Sequence, residues 1–380
     1  MTNPLPPKKI AVVIPKYGLT GGAERFAANL TEGLAHNPAY DIHVLANQWE
    51  TQLDVVTFHK VPIISFPRFL SPLSFAWFVA NTLKREHYDL IHTHDRIFHA
   101  DLFTMHGVPH RFWRREIRDK RLGLVDQMTD WIEKKLLSNY NCNFFLPVSN
   151  LSKAHYQRYF PQITSRMRTM HPGVDLEKFT LNKPAAVRNE VRARFGITPS
   201  DFVILFVGMN FELKGLATLI SGLAKAKASS PRPITLLVVG KGDVKRFGKL
   251  AERHGVREKI IFAGVQSQKI EHFYAAADVH ALLSDFDTFG LTVLEAMASS
   301  LPVIISTQVG AKDLVSEGIT GYIVNKNDSN AVGEKILLLL NEPKRQAMGL
   351  AARQTAEAHA WTKVIQNVSQ LYDDILYRNK

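Results

Sequence analysis

The stretch Val279-His-Ala-Leu-Leu-Ser284-Asp-Phe-Asp287-Thr-Phe-Gly290-Leu-Thr-Val-Leu-Glu295-Ala-Met-Ala-Ser-Ser300-Leu-Pro302-Val-Ile-Ile-Ser306 holds one complete unit of the fold. The apolar run Val279–Leu283 ends in an acidic loop, Phe289-Gly290-Leu291 opens a segment with helical spacing, and a second β-branched run, Val303–Ser306, follows the proline. Two short apolar runs joined by a helix read as parallel strands, because parallel pairing needs a crossover of a dozen or more residues. The same alternation recurs at Ile10–Ile14, Ile42–Ala46, Asp89–His92 and Phe144–Val148, then at Phe202–Val207, Thr235–Val239, Lys259–Phe262 and Gly321–Val324. The predicted class is α/β, with doubly wound parallel sheets.

Length divides these units between two domains. A chain of 380 residues exceeds what one hydrophobic core holds before it splits. The halves echo one another: strand Ala11–Ile14 leads through Gly21-Gly22 into a helix at Glu24–Leu34, and strand Val203–Val207 leads through Gly208 and Lys214-Gly215 into a helix at Leu216–Ala224. His171-Pro172-Gly173-Val174-Asp175 interrupts the pattern, which sets a hinge near Met170–Thr180 before the polar stretch Asn182–Arg194. The expected domains are 1–172 and 173–360, with a last helix over 361–380 packing across them. Ligands of open α/β sheets sit outside the carboxyl ends of the strands, so two such domains facing each other would share one cleft.

Composition narrows the class further. With 46% hydrophobic and 22% charged residues the chain fits a globular fold with an ample core. Apolar runs fall well short of the ~20 residues that cross a bilayer, so any membrane contact is expected to be peripheral. The single cysteine, Cys142, excludes an internal disulfide, and Met1–Lys9 lacks the apolar core of a signal peptide. Both point to the cytoplasm. A net charge of +12 favours anionic company. The basic, aromatic stretch Arg111–Arg121, with Phe66–Trp77 before it, suits an anionic membrane surface or a phosphorylated glycolipid, and equally a solvated helix face over buried aromatics. No nucleic-acid-binding module accompanies the charge.

Three loops carry the candidate chemistry. Gly21 and Gly22 open a helix whose free amides and dipole suit a phosphate, although a tight turn needs the same glycines. Lys214 stands at the matching helix start of the second half, where an ammonium can join helix amides around a pyrophosphate, or can simply be solvated. In the quoted stretch, Phe289, Gly290 and Leu291 offer successive amides between Asp287 and Glu295. The two carboxylates could accept sugar and ribose hydroxyls, or cap a helix whose dipole favours acids. His92-Thr-His94 and Asp285-Phe-Asp287 mimic metal motifs, but no third ligand stands at a recognisable spacing, and no metal or other cofactor is expected.

These motifs together, Gly21-Gly22, His171–Asp175, Gly208 with Lys214-Gly215, and Asp287 to Pro302, resemble the family-four retaining glycosyltransferases of the GT-B architecture. Within that family the chain is most similar to the members that add glucose to the inner-core heptose of lipopolysaccharide. The resemblance implies two Rossmann-like domains and a nucleoside diphosphate sugar as donor, UDP-glucose first. It also implies a glycolipid or oligosaccharide acceptor and front-face attack, with the leaving diphosphate oxygen taking the acceptor proton. By resemblance, Lys214, His106 and Asp101 are the catalytic candidates, with His94 in reserve. Gly21, Gly22, Asp287, Phe289, Gly290, Leu291 and Glu295 would bind the donor. Three positions depart from the family. Asp287 replaces a glutamate, the Gly208–Lys214 loop lacks the usual arginine, and Ser300 stands where glycine is common. Two rival readings keep the fold: a sugar-nucleotide epimerase, and a non-catalytic sugar-nucleotide-binding scaffold.

Overall fold

The computed structural model describes residues 6–19, 21–50, 54–138, 141–180, 184–266 and 268–377; Asn182, the first residue of the polar stretch, lies outside them. Contacts divide the chain into two units. One holds the chain up to Gly173 together with the segment from Trp361 onward; the other is Val174–Ala360.

Each unit is built on a six-stranded parallel sheet. In the first the strands lie in the order Val56–Lys60, Tyr40–Ala46, Lys8–Val13, Leu90–Thr93, Ala100–Met105, Cys142–Pro147. In the second the order is Ile260–Gly264, Ile234–Gly240, Phe202–Gly208, Val279–Leu282, Val303–Ser306, Gly321–Val324. Counted along the chain, both sheets run 3-2-1-4-5-6, the doubly wound order. Helices cover both faces, which is why the strands read as near-continuous apolar runs. In the first unit Ile10, Val12, Ile42 and Val44 enter one core, while Ala11, Val13 and Leu45 enter the other. Two of these strands, Val56–Lys60 and Ala100–Met105, were not legible as such, because a lysine and a histidine in one and an aspartate in the other break the apolar run.

The last helix, Trp361–Tyr377, belongs to the first unit. Its Val364, Val368, Leu371 and Tyr372 are buried. Ile365 lies so close to Gly33, in helix Gly22–Ala35, that a Cβ there would come within 2.1 Å of it. Tyr40 donates from its hydroxyl to Asp373 Oδ1 at 2.8 Å. Gly173 is explained here as well: the Trp361 indole lies against it, and a Cβ would meet the ring at 2.5 Å. Gly173 therefore closes the first unit rather than opening the second.

Ser300 follows helix Leu291–Ala298 with φ of +59°. That left-handed conformation costs an L-residue about 1–2 kcal/mol, and the Ser300 hydroxyl is buried without a hydrogen-bond partner. Replacing Ser300 by glycine is therefore expected to stabilise the protein by about 1 kcal/mol, read as a higher denaturant midpoint at unchanged slope. A lower midpoint would contradict the strain.

Candidate active site

The second unit reverses strand order between Phe202–Gly208 and Val279–Leu282, and the loops leaving those two strands are bonded to each other. Asp285 donates its amide to Leu213 O at 2.9 Å. Gly215, with φ of +75°, lies so close to Leu283 that a Cβ would fall 1.9 Å from its carbonyl oxygen. No other residue fits there, which accounts for the glycine after Lys214. From this junction the Lys214 ammonium reaches Asp287 Oδ2 as a part-buried ion pair. Gly208 leaves room for the same lysine, since a Cβ on it would come within 2.9 Å of Lys214 Cγ.

Asp287 is itself held from both sides. Its amide donates to Gln308 O at 2.9 Å, its carbonyl accepts from Gly310 N at 3.0 Å, and its Oδ1 accepts from Phe289 N at 3.3 Å. The carboxylate expected to meet sugar hydroxyls thus grips Lys214 and the backbone. Phe289 is corrected in the same way: its ring is buried, its amide is engaged by Asp287, and its carbonyl accepts from Ala311 N at 2.7 Å. Gly290, at φ of +90°, is the N-cap of helix Leu291–Ala298, so the amides presented to an anion are those of that helix's first turn, beginning at Leu291. Glu295 sits one turn further on, half-buried, and accepts from the Tyr274 hydroxyl at Oε2, 2.7 Å away. Tyr274 is fully buried beside Phe179, and it orients this carboxylate. It was missed because an aromatic residue on a helix reads as core.

The first unit carries a histidine group at the corresponding switch point. His94 follows strand Leu90–Thr93 and His106 follows strand Ala100–Met105; His94 Nδ1 lies 2.9 Å from His106 Nε2. His92 lies beside His94 with ring centroids 4.4 Å apart and the rings tilted by 33°, and bonds Tyr372 Oη and Thr104 Oγ1, each at 2.7 Å. Burial drives the His92 and His106 pKa values down to about 3, and holds His94 well below its usual range. These rings are neutral at pH 7.

Asp101 does not join them. It is the second residue of strand Ala100–Met105, at the amino end of the sheet, five residues and about 16 Å of extended chain from His106. Its carboxylate accepts from Ile91 N at 2.8 Å and from Asn143 Nδ2 at 3.3 Å, which ties the strands together. Resemblance alone pairs Asp101 with His106, and the strand between them places the two at opposite ends of the sheet. Gly21 and Gly22 do begin a helix, Gly21 as its N-cap. The Glu24 carboxylate folds back over Gly21, so close that a Cβ would fall 1.9 Å from Oε2, and an acid of the chain itself occupies the positive helix end.

A family profile described as Glycosyl transferases group 1 matches residues 187–355, and one described as Glycosyltransferase Family 4 matches residues 20–178. The chain is a glycosyltransferase. The transferase is 25% identical to an uncharacterized glycosyltransferase, MJ1607, of Methanocaldococcus jannaschii, over 96% of this chain and 97% of the relative. It is 24% identical to the N-acetyl-alpha-D-glucosaminyl L-malate synthase of Bacillus anthracis, over 98% and 99%. A D-inositol 3-phosphate glycosyltransferase of Corynebacterium urealyticum is 30% identical over 61% of the transferase, which spans 57% of that relative's length. Among solved structures, WaaG, a glycosyltransferase involved in lipopolysaccharide biosynthesis, matches with a TM-score of 0.80 at 20% identity over 96% of this chain and 99% of that one. Anabaena HepE in complex with UDP and glucose matches with a TM-score of 0.71 at 19% identity over 97% and 100%. These structures show the GT-B fold. Neither the epimerase nor the scaffold reading is favoured.

The buried histidines make a stability test. His92 in the first unit and His280 in the second are fully buried, each with its pKa lowered to about 3 by burial, against about 6.5 in an unfolded chain. Protons are then taken up only on unfolding. Stability is complete above pH 6.5 and falls between pH 6.5 and 3. Urea unfolding at pH 5.5 is expected to show a loss of about 1 kcal/mol per histidine relative to pH 7. Superimposable curves at the two pH values would mean that these rings are charged in the fold.

Proposed function

We propose that this transferase moves a hexose, glucose from UDP-glucose, to a hydroxyl of a lipopolysaccharide-core glycolipid or oligosaccharide, with retention at the anomeric carbon. The observation that carries the donor half is Lys214, held at the switch point by Asp287, whose other carboxylate oxygen accepts from the Phe289 amide just before helix Leu291–Ala298. An ammonium and helix amides stabilise the charge that grows on a leaving diphosphate without a metal. A diphosphate there would compete with Asp287 for Lys214. The bond from the anomeric carbon to the diphosphate breaks while the acceptor oxygen bonds the same face, and the acceptor proton passes to the leaving phosphate oxygen. Glu295, steadied by Tyr274, takes the ribose hydroxyls. Neutral His106 and His94 are the polar groups that the first unit offers at its own switch point. UDP and UDP-glucose are supported by the bound ligands of HepE, and the acceptor class by the role of WaaG.

The acceptor class also accords with the surface of the first unit. Phe66 is 85% exposed, Trp77 and Trp131 are exposed on two helices that pack against each other, and Arg68, Lys84, Arg85 and Lys134 stand near them in sequence. Aromatic side chains among cations suit an anionic bilayer surface. No helix among the described residues is long and apolar enough to cross a membrane. We read the contact as peripheral, on the inner face of the cytoplasmic membrane.

A thermal-shift titration with UDP, GDP, ADP and UDP-glucose in EDTA tests the donor. UDP and UDP-glucose are expected to stabilise selectively, by about 2.7 kcal/mol at 100 times Kd, and Glu295→Ala is expected to weaken that response. Equal responses to all nucleotides, or none, would remove the donor assignment. In the same preparation, co-sedimentation with anionic but not neutral vesicles is expected, and Trp77→Ala with Trp131→Ala should abolish it.

A further inference from the structure

The first sheet carries a second histidine cluster at its outer edge, separated from the strand of His92 by strand Lys8–Val13. His43 lies on strand Tyr40–Ala46 and His59 on the edge strand Val56–Lys60; Glu86 follows helix Leu70–Arg85. One ligating atom from each lies within 4.8 Å of the other two, the one such grouping of three among the described residues. His43 Nδ1 is 2.7 Å from His59 Nε2, and His59 Nδ1 is 3.7 Å from Glu86 Oε1. His43 is buried on a face where Leu45 and Ala11 supply core, so a polar ring there needs a function or a partner.

The surroundings of the three side chains resemble an outer shell. Asp41 Oδ2 lies 3.1 Å from His43 Nε2 and accepts its proton, which leaves the Nδ1 lone pair directed at His59. Tyr88 Oη at 2.9 Å and Lys9 Nζ at 3.1 Å both donate to Glu86 Oε2, which leaves Oε1 turned toward His59. Carboxylates on the far nitrogen of a ligating histidine, and donors on the far oxygen of a ligating carboxylate, are what orient metal ligands. The rings are stacked at 28°, and burial keeps His59 on the neutral side of its usual range. The nearby Lys9 ammonium works against a cation, and the carboxylates of Glu86 and Asp41 offset it.

We propose that His43, His59 and Glu86 form a site for one transition-metal ion of the zinc class, with Asp41 as the positioning carboxylate of His43. Two imidazoles and one carboxylate are a recurring zinc set that leaves a fourth position to water. The closest contacts run to opposite nitrogens of His59, His43 at Nε2 and Glu86 at Nδ1, so one ion is held only after the His59 ring or the Glu86 carboxylate turns to bring one ligand atom from each residue, all within 4.8 Å of one another, onto a common point about 2.0–2.1 Å from each. The ion clips the edge strand Val56–Lys60 to its neighbour and to the end of helix Leu70–Arg85. It takes no part in the transfer, since none of the groups assigned to donor or acceptor touches it.

The test uses the full chain without a polyhistidine tag, stripped with EDTA, desalted and titrated with cobalt(II). One equivalent is expected to saturate visible absorption bands, zinc to displace the cobalt, and either metal to raise the melting temperature. His59→Ala should abolish the bands. Asp41→Asn keeps all three ligands and should weaken cobalt binding about 10- to 100-fold, so the proposal stays testable if His59→Ala folds poorly. Absence of saturable cobalt binding at one equivalent, or wild-type affinity in Asp41→Asn, overturns it.

Discussion

The approach of Gly215 to the Leu283 carbonyl oxygen is the constraint on which the rest of the second unit's site depends. It brings two loops that leave different strands into backbone contact, with the Asp285 amide bonded to Leu213 O. Lys214, one residue before the contact, can then lie only over the carboxyl ends of the strands, where Asp287 meets it. The Asp287 amide donates to Gln308 O, and the amides of Gly310 and Ala311 donate to Asp287 O and Phe289 O, which carries the rigidity into the loop after the next strand. The ammonium is thus positioned before an anion arrives, which electrostatic catalysis requires, and an arriving anion has only to exchange with the Asp287 carboxylate.

The two units share a strand order and differ in what their switch points carry. The second presents a lysine, two acids and a helix start; the first presents three neutral histidines and a helix start covered by Glu24. One scaffold thus carries a charged switch point in one unit and a neutral polar one in the other. The last helix adds a dependence that is not local in sequence. Tyr372 fixes His92, which packs against His94, which bonds His106. The chain therefore ends in the unit where it began, and its last helix braces the histidines there.

Most of the fold was legible because fully buried parallel strands are nearly all apolar, and Phe202–Gly208, Val279–Leu282 and Val303–Ser306 are of that kind, with His280 and Ser306 their buried polar exceptions. Val56–Lys60 is an edge strand and can tolerate His59 and Lys60, so its pattern does not look like a strand. Ala100–Met105 carries Asp101 at its amino end, where Ile91 N and Asn143 Nδ2 of the two neighbouring strands satisfy the carboxylate. In the site, glycine spacing located Lys214, Gly290 and Glu295, since glycines mark positions where backbone approaches backbone. Partner choice was not legible. That Asp287 would hold Lys214 and the Phe289 amide, and that Tyr274 would hold Glu295, depends on side-chain directions that one-dimensional spacing does not encode. The cluster of His43, His59 and Glu86 was invisible for the same reason, its members being separated by 16 and 27 positions.

The central claim is that Lys214 at this junction holds the donor's diphosphate. Calorimetric titration of UDP and uridine into wild-type protein and Lys214→Met tests it most directly. The account expects wild-type protein to prefer UDP, and Lys214→Met to lose about 10- to 100-fold of UDP affinity with uridine binding unchanged, as removal of a charge-assisted contact does. UDP binding of wild-type strength in Lys214→Met would contradict it.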